Sequence, residues 1–175
     1  MKHCLFFLVV SMVYLILAAA QVETMIPLSK TGYSYVRGNP SSPVTVELYI
    51  DLGCSSCLES WPTLTQVYKE YKSRVNFHYK IFPLPYHQQA FILSKGAGVV
   101  QHFGSSEEAV FNYFDTVFAN QAQIYNSATA GMSYNQVIDL VAGFATAGTG
   151  VSQDQYYVGM NSSSSVGNSV EMSAR

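Results

Sequence analysis

Residues Glu47 to Pro62 read Glu-Leu-Tyr-Ile-Asp-Leu-Gly-Cys-Ser-Ser-Cys-Leu-Glu-Ser-Trp-Pro. An apolar, β-branched run ends at Gly53 and the Cys54-x-x-Cys57 pair, and a helix-like pattern starts at once, so the two thiols fall at a strand-to-helix junction. At a helix N-terminus, unpaired backbone N–H groups and the positive end of the macrodipole favour negative charge, and cysteines so placed are commonly more acidic than a free thiol. Cys57, one turn on and covered by its own helix, is the natural resolving thiol. Two duller readings compete. A static disulfide closing so short a ring would remove little chain entropy. A zinc site would need two more ligands, and the sequence offers no second Cys-x-x-Cys and no His-x-x-x-His. The strand–turn–helix setting favours redox chemistry over both.

Working upstream, Val44, Val46, Leu48 and Ile50 share one strand face and Tyr49 adds an aromatic to the other, which predicts a strand covered on both sides. Gly38-Asn-Pro-Ser-Ser-Pro43 is a turn cluster, and Tyr33–Arg37 alternates briefly enough for a short edge strand. Downstream, Leu58, Trp61, Leu64, Val67, Tyr68 and Tyr71 recur at three- and four-residue spacing, predicting a helix from Ser55 to about Lys72 with a kink at Pro62. Val75, Phe77, Tyr79 and Ile81 then alternate with Asn76, His78 and Lys80 as a second strand, parallel to the first because a helix connects them. The unit ends at Pro83-Leu-Pro-Tyr-His87.

Beyond residue 88 the period changes. A helix carrying Ala90, Phe91, Val100 and Phe103 is weakened by Gly96 and Gly98, and a stronger one from Glu107 carries Phe111, Phe114 and Phe118 as ordinary core. Ser133-Tyr-Asn-Gln136 and Ser152-Gln-Asp-Gln155 are capping boxes that open two more helices, the second running into Ser162–Ser165. The expected organisation is a signal peptide at 1–20, a βαβ half-domain at 21–87, an inserted helical subdomain at 88–166 and a tail at 167–175.

At 175 residues, with 13 Tyr, 10 Phe and a formal net charge of -2, the chain suits one packed domain and gives no electrostatic case for nucleic acid. Lys2 and His3, the apolar run Leu5–Leu17 and Ala18-Ala19-Ala20 before Gln21 read as a secretory signal; an uncleaved anchor is the runner-up, against which stand the shortness of the run for a bilayer span and its small-residue end. Cys4 leaves with it, so the mature chain keeps only Cys54 and Cys57, and no membrane contact is expected after cleavage. Asn161-Ser162-Ser163 is a glycosylation sequon. No Lys-Asp-Glu-Leu-type signal is present, which leaves the endoplasmic reticulum lumen and the cell exterior equally open.

Asn39-Pro-x-x-Pro-Val-Thr-Val-Glu47, the Cys-x-x-Cys after a strand, Pro62 five residues past Cys57 and the helical insertion after the second strand together resemble the DsbA-like branch of the thioredoxin superfamily. Trp61-Pro62 and Phe82-Pro-Leu-Pro-Tyr-His87 are similar to plant and protist members of that branch. The resemblance spans residues 38–165 and implies an α/β thioredoxin fold with a helical insertion. It also implies a thiol–disulfide oxidoreductase in which Cys54 attacks and Cys57 resolves a mixed disulfide with protein thiols, protein disulfides or small thiols, without cofactor or metal. Two departures stand out. Ser55-Ser56 replaces the Pro-His dipeptide frequent in the family. The cis-proline loop, with its β-hairpin and helix, has no counterpart before Arg175, since no proline follows Pro85; a truncated or alternatively spliced product is the expectation, and a partner that completes the sheet is the alternative.

Asp51, three residues before Cys54, is suited either to take up the Cys57 proton or to bond a turn at the strand end. His87 lies near the strand's C-terminal end, where open α/β sheets place sites. His78 reads as structural, Glu47 and Glu59 as solvated, and Trp61 as packing beneath the active helix. The rival functions are a non-catalytic thioredoxin-fold binding module, including an inactive truncated isoform, and glutathione-linked chemistry of the kappa-transferase type. The intact Cys pair argues against the latter.

Overall fold

A computed structural model of the chain describes residues 34–174. The proposed signal segment and residues 21–33 lie outside that span. Three strands form one sheet in the order β1-β3-β2: β1 is Tyr35–Gly38, β2 Thr45–Ile50 and β3 Asn76–Ile81. β2 and β3 run parallel, in register from Thr45 with Asn76 to Ile50 with Ile81, as their helical connection requires. β1 joins the other side of β3 antiparallel, Tyr35 opposite Tyr79 and Gly38 opposite Asn76. Gly38 turns the chain at φ 103°, where a Cβ would stand 2.4 Å from the Val75 carbonyl oxygen.

Helix α1, Ser55–Tyr71, connects β2 to β3 and continues through Pro62 as one element, although the proline removes the amide that would bond the Leu58 carbonyl. Its inward face is led by Trp61, which is buried among Tyr79, Phe114 and Phe118 at ring distances of 5.9, 5.9 and 5.1 Å. The indole N–H donates to Asp115 Oδ1 at 2.6 Å, so the ring's polar edge is also satisfied.

The helical unit follows: α2 is Ala90–Phe103, α3 Ala109–Ala119, a 3₁₀ turn Gln121–Ile124, α4 Asn126–Thr129, α5 Tyr134–Thr146, α6 Gln153–Met160 and α7 Ser165–Ala174. α2 is its axis, buried from Ile92 to Val100 and packed by α3, α5, α6 and α7. Gly96 does more than weaken this helix. A Cβ there would sit 2.4 Å from the Tyr113 hydroxyl, which donates to the Leu93 carbonyl at 3.0 Å, so the glycine lets α3 approach closely. Both capping boxes form, at Ser133 with Gln136 and at Ser152 with Gln155.

The structure differs from the sequence expectation in two places. β2 is not covered on both sides: Val46, Leu48 and Ile50 face the core, but Thr45, Glu47 and Tyr49 are exposed, Tyr49 at 61 %. The physical reason is that this face is polar across the strands, with Lys80 donating to Glu47 at 2.8 Å and standing over the Tyr49 ring at 5.2 Å. Secondly, the last helix does not run on through the serines. It stops at Asn161, and a new helix, α7, begins with Ser164 Oγ accepting the Gly167 amide at 2.8 Å, so residues read as a tail are helical and bury Val170. The buried Lys95 fastens this break, donating to the Met160 carbonyl and Ser162 Oγ, each at 3.1 Å, and pairing with Glu171 at 3.4 Å.

The close approach at Gly96 predicts that Gly96→Ala destabilises the protein by about 1–3 kcal/mol in urea unfolding, overpacking outweighing alanine's helix preference. Tyr113→Phe removes the obstructing oxygen. In the double variant the cost of Gly96→Ala should shrink; full additivity would show that the two sites do not meet.

Candidate active site

Three segments converge at the strand-to-helix junction. β2 delivers Asp51, the turn Leu52-Gly53 leads to Cys54, and Cys54 opens α1 from an extended conformation, φ -88° and ψ 125°, as its N-cap residue. The Cys54 amide donates to the Asp51 carbonyl at 3.1 Å, and the Cys54 carbonyl accepts the Leu58 amide at 3.1 Å, so the nucleophile candidate is fixed on both sides by backbone bonds. Cys54 and Cys57 are both free thiols, 4.0 Å apart.

The two thiols differ in surroundings. The Asp51 amide donates to Cys57 Sγ at 3.4 Å, and the Cys57 side chain packs against the core. Burial pushes the Cys57 thiol above its ordinary range; the Asp51 amide opposes this, and the charge of Cys54 adds to it. Cys54, at the helix end, has no side-chain hydrogen bond to the cap.

Asp51 is 2 % exposed and its carboxylate is surrounded by donors. Gly53 donates its amide to Oδ1 at 2.7 Å, Leu84 its amide to Oδ2 at 2.9 Å, and His87 Nδ1 lies 2.7 Å from Oδ2. The strand-end, turn-bonding reading of Asp51 therefore describes its contacts. Two backbone amides and one imidazole nitrogen surround the carboxyl group. Asp51 thus joins the end of β2, the active-site turn and the Pro-Leu-Pro-Tyr-His loop.

The helical unit adds a member that the sequence did not suggest. Gln121, 1 % exposed in the 3₁₀ turn, donates from Nε2 to the Leu52 and Cys54 carbonyls, each at 2.9 Å, and accepts the Tyr125 hydroxyl at 2.9 Å. Nothing in the local pattern Asn120-Gln-Ala-Gln marks it, since its partners lie more than sixty residues upstream. His78 is not part of this cluster; its Nδ1 meets Ser34 Oγ at 3.1 Å. Glu47 is in the exposed pair with Lys80, and Trp61 is core. Among the described residues no cluster of His, Cys, Asp and Glu is arranged to hold a metal. A cleft of about 480 Å³ opens beside the turn, lined by Gly53, Ser55, His87 and Tyr125 among others.

A thioredoxin family model matches residues 30–159. No functionally curated protein matches the chain. Solved structures of similar fold include oxidised BdbD from Bacillus subtilis, at 16% identity and TM-score 0.58 over 81% of this chain and 72% of that one. A cysteine-substituted alpha-DsbA1 from Wolbachia pipientis matches at 17% identity and TM-score 0.56, covering 86% and 68%. Chlamydia trachomatis DsbA matches at 13% identity and TM-score 0.55, covering 86% and 74%. The chain spans only 63% of another alpha-DsbA1 variant, at TM-score 0.53. At these identities the likeness is one of fold, and it agrees with the parallel β2-α1-β3 unit, the third antiparallel strand and the inserted helices described above. With the family model covering well over half of its length, the chain belongs to the thioredoxin family and has the DsbA-like form of its fold.

Proposed function

We propose that this chain is a thiol–disulfide oxidoreductase working through Cys54 and Cys57. The observation that carries the reading is the unequal pair: two free thiols 4.0 Å apart at the head of one helix, one at the helix end and the other drawn against the core. Acting as a reductant, the Cys54 thiolate attacks one sulfur of a substrate disulfide; the S–S bond breaks, the second substrate sulfur leaves as thiolate and takes a proton, and a mixed disulfide remains. Cys57 then loses its proton and attacks Cys54 Sγ, closing the Cys54–Cys57 disulfide and releasing the substrate's other thiolate. The enzyme gives up two electrons and the substrate gains them; run backwards, the same steps oxidise a substrate dithiol.

Asp51 is assigned the Cys57 proton. What supports this is the buried carboxylate on the same residue whose amide holds the Cys57 sulfur, linked through His87 to the cleft. The signal segment at 1–20 directs the chain into the secretory pathway, to the endoplasmic reticulum lumen or beyond. No helix among the described residues is long and apolar enough to cross a membrane. Asn161 is assigned a glycan: it is exposed at the end of α6, and its Oδ1 accepts the Ser163 amide at 3.0 Å.

Cys54→Ser should abolish reduction of insulin disulfides, whereas Cys57→Ser should accumulate a mixed disulfide at Cys54, seen by mass spectrometry. Full activity in Cys54→Ser would overturn the assignment. The raised Cys57 value carries a sign. The folded, reduced chain holds that proton more tightly than the unfolded chain, so the associated stability is present below the free-thiol range of about 8.5 and is lost as pH rises through the raised value. The urea midpoint of the reduced protein should therefore fall in alkaline solution, less steeply in Cys57→Ser. Alkylation of Cys57 should likewise begin at higher pH in the folded chain than in urea. In a secreting eukaryotic host, N-terminal sequencing should find Gln21 first, and peptide-N-glycosidase should shift the mass in a way that Asn161→Gln eliminates.

A further inference from the structure

The sequon at the end of α6 does not open on bare solvent. Asn161, Ser162 and Ser163 form one wall of a cleft of about 630 Å³ whose other walls come from α5 and α6. Ligand clefts commonly enclose about 300–1,000 Å³. The attachment point is fixed on three sides. The Asn161 amide donates to the Tyr157 carbonyl at 3.1 Å, its carbonyl accepts the Ser164 amide at 2.9 Å, and its Oδ1 accepts the Ser163 amide at 3.0 Å. That last bond takes the oxygen and leaves Nδ2, the atom that carries an asparagine-linked glycan. Ser162 is anchored by the buried Lys95 at 3.1 Å and by Glu171. Across the cleft stand Tyr134, the first residue of α5 and 59 % exposed, and Tyr157, 36 % exposed. Asp139 Oδ1 accepts the Tyr157 hydroxyl at 2.7 Å, which holds that ring in place and leaves Oδ2 as an acceptor.

These walls suit one chemistry. A pyranose carries C–H groups on its ring faces and hydroxyls around its rim. Its C–H groups, slightly positive, are drawn to the negative face of an aromatic ring, and its hydroxyls pair with a carboxylate or an amide such as Asn135. Among the described residues lining the cleft, Asp139 is the only charged one, so an acidic ligand would meet repulsion with no cation to offset it. The tether decides the source of the sugar. A residue joined to Asn161 is held beside the rings at an effective concentration on the order of millimolar, so contacts too weak to capture a free sugar suffice. We propose that this cleft seats the first N-acetylglucosamine of an Asn161-linked glycan against Tyr134 and Tyr157, and that the glycan thereby ties the start of α5 to the end of α6. The proposal rests on the glycan reading above.

The test uses the full-length chain secreted from a eukaryotic host that adds high-mannose glycans, trimmed by endoglycosidase H to a single N-acetylglucosamine on Asn161. The sugar-free reference is Ser163→Ala, which destroys the sequon yet keeps the backbone amide that Asn161 Oδ1 accepts. The trimmed protein should melt about 2–4 °C above Ser163→Ala, the shift expected of one modest contact in a chain of this size. Tyr134→Ala, at an exposed position, should shrink that difference to under about 1 °C, because the two changes remove the same contact. In the NMR spectrum the sugar protons should show Overhauser contacts to the Tyr134 or Tyr157 ring. Free N-acetylglucosamine, equimolar with Ser163→Ala, should leave its melting temperature unchanged. A gain that Tyr134→Ala leaves intact, no gain at all, absent Overhauser contacts, or the same gain from free sugar overturns the seat and leaves the modification standing. If peptide mapping finds Asn161 without sugar in that host, the glycan reading falls, and the seat with it.

Discussion

Asp51 buries a carboxyl group where β2 ends, and a group so polar is tolerated in an interior only when its oxygens find donors. Gly53, Leu84 and His87 supply them. The requirement works in both directions. The carboxylate needs the turn and the loop to stay where they are, and the turn and the loop are held in place by the carboxylate. Displacing the Gly53 amide would leave Oδ1 without its donor in the core, a cost larger than the hydrogen bond itself is worth in stability, whereas Oδ2 is held by both the Leu84 amide and His87. The geometry of the Cys54 turn is in this sense set from below, by a group that never reaches the surface.

A second constraint acts from the side. The Leu52 and Cys54 carbonyls both point to Gln121, one amide nitrogen serving two acceptors. The Cys54 carbonyl also accepts the Leu58 amide of the helix, whereas the Leu52 carbonyl precedes the helix, and a buried turn carbonyl outside a helix needs another donor. Gln121 is that donor, and Tyr125 in turn orients Gln121. The helical unit is bonded to the thiol-bearing turn as directly as the strand that precedes it. Trp61 repeats the link in apolar form, carrying α1 onto α3 through Phe114 and Phe118, with Asp115 closing its N–H. Aromatic pairs of this kind contribute about 0.5–1.5 kcal/mol each beyond the area they bury.

Much of this was legible in the chain. The β2-α1-β3 unit follows from a change of period at Gly53, and the capping boxes at Ser133 and Ser152 opened helices because each needs only residues three apart. The cysteine pair and Asp51 were visible for the same reason. What escaped depends on partners far away in sequence: Asp51 and His87 are 36 residues apart, Gln121 and Leu52 69, Lys95 and Met160 65. No window of local periodicity contains such pairs. The start of α7 was missed differently, because four consecutive serines carry no apolar rhythm and only Ser164 adopts the capping role. The exposed face of β2 was misread because Tyr49 weighed as apolar; its ring instead lies beneath the Lys80 ammonium, with the phenol bonded to Glu47.

That exposed face also shows where the stiffness of the site does not come from. Glu47, Lys80 and Tyr49 form a surface cluster, and surface ion pairs contribute about 0–1 kcal/mol. It cannot be what fixes the end of β2. The opposite face can, since Ile50, Phe77 and Tyr79 are buried there, Tyr79 against Trp61 and Phe111 and Phe77 against Tyr68. The strand is therefore held from its core side, and that side is built largely of helices α1 and α3. A displacement of α3 would pass to Trp61, to the 3₁₀ turn that follows α3, and through Gln121 to the carbonyl of Cys54 itself. The inserted helices are thus part of the frame that holds the thiols, and substitutions in their cores are expected to reach the Cys54 turn through that amide.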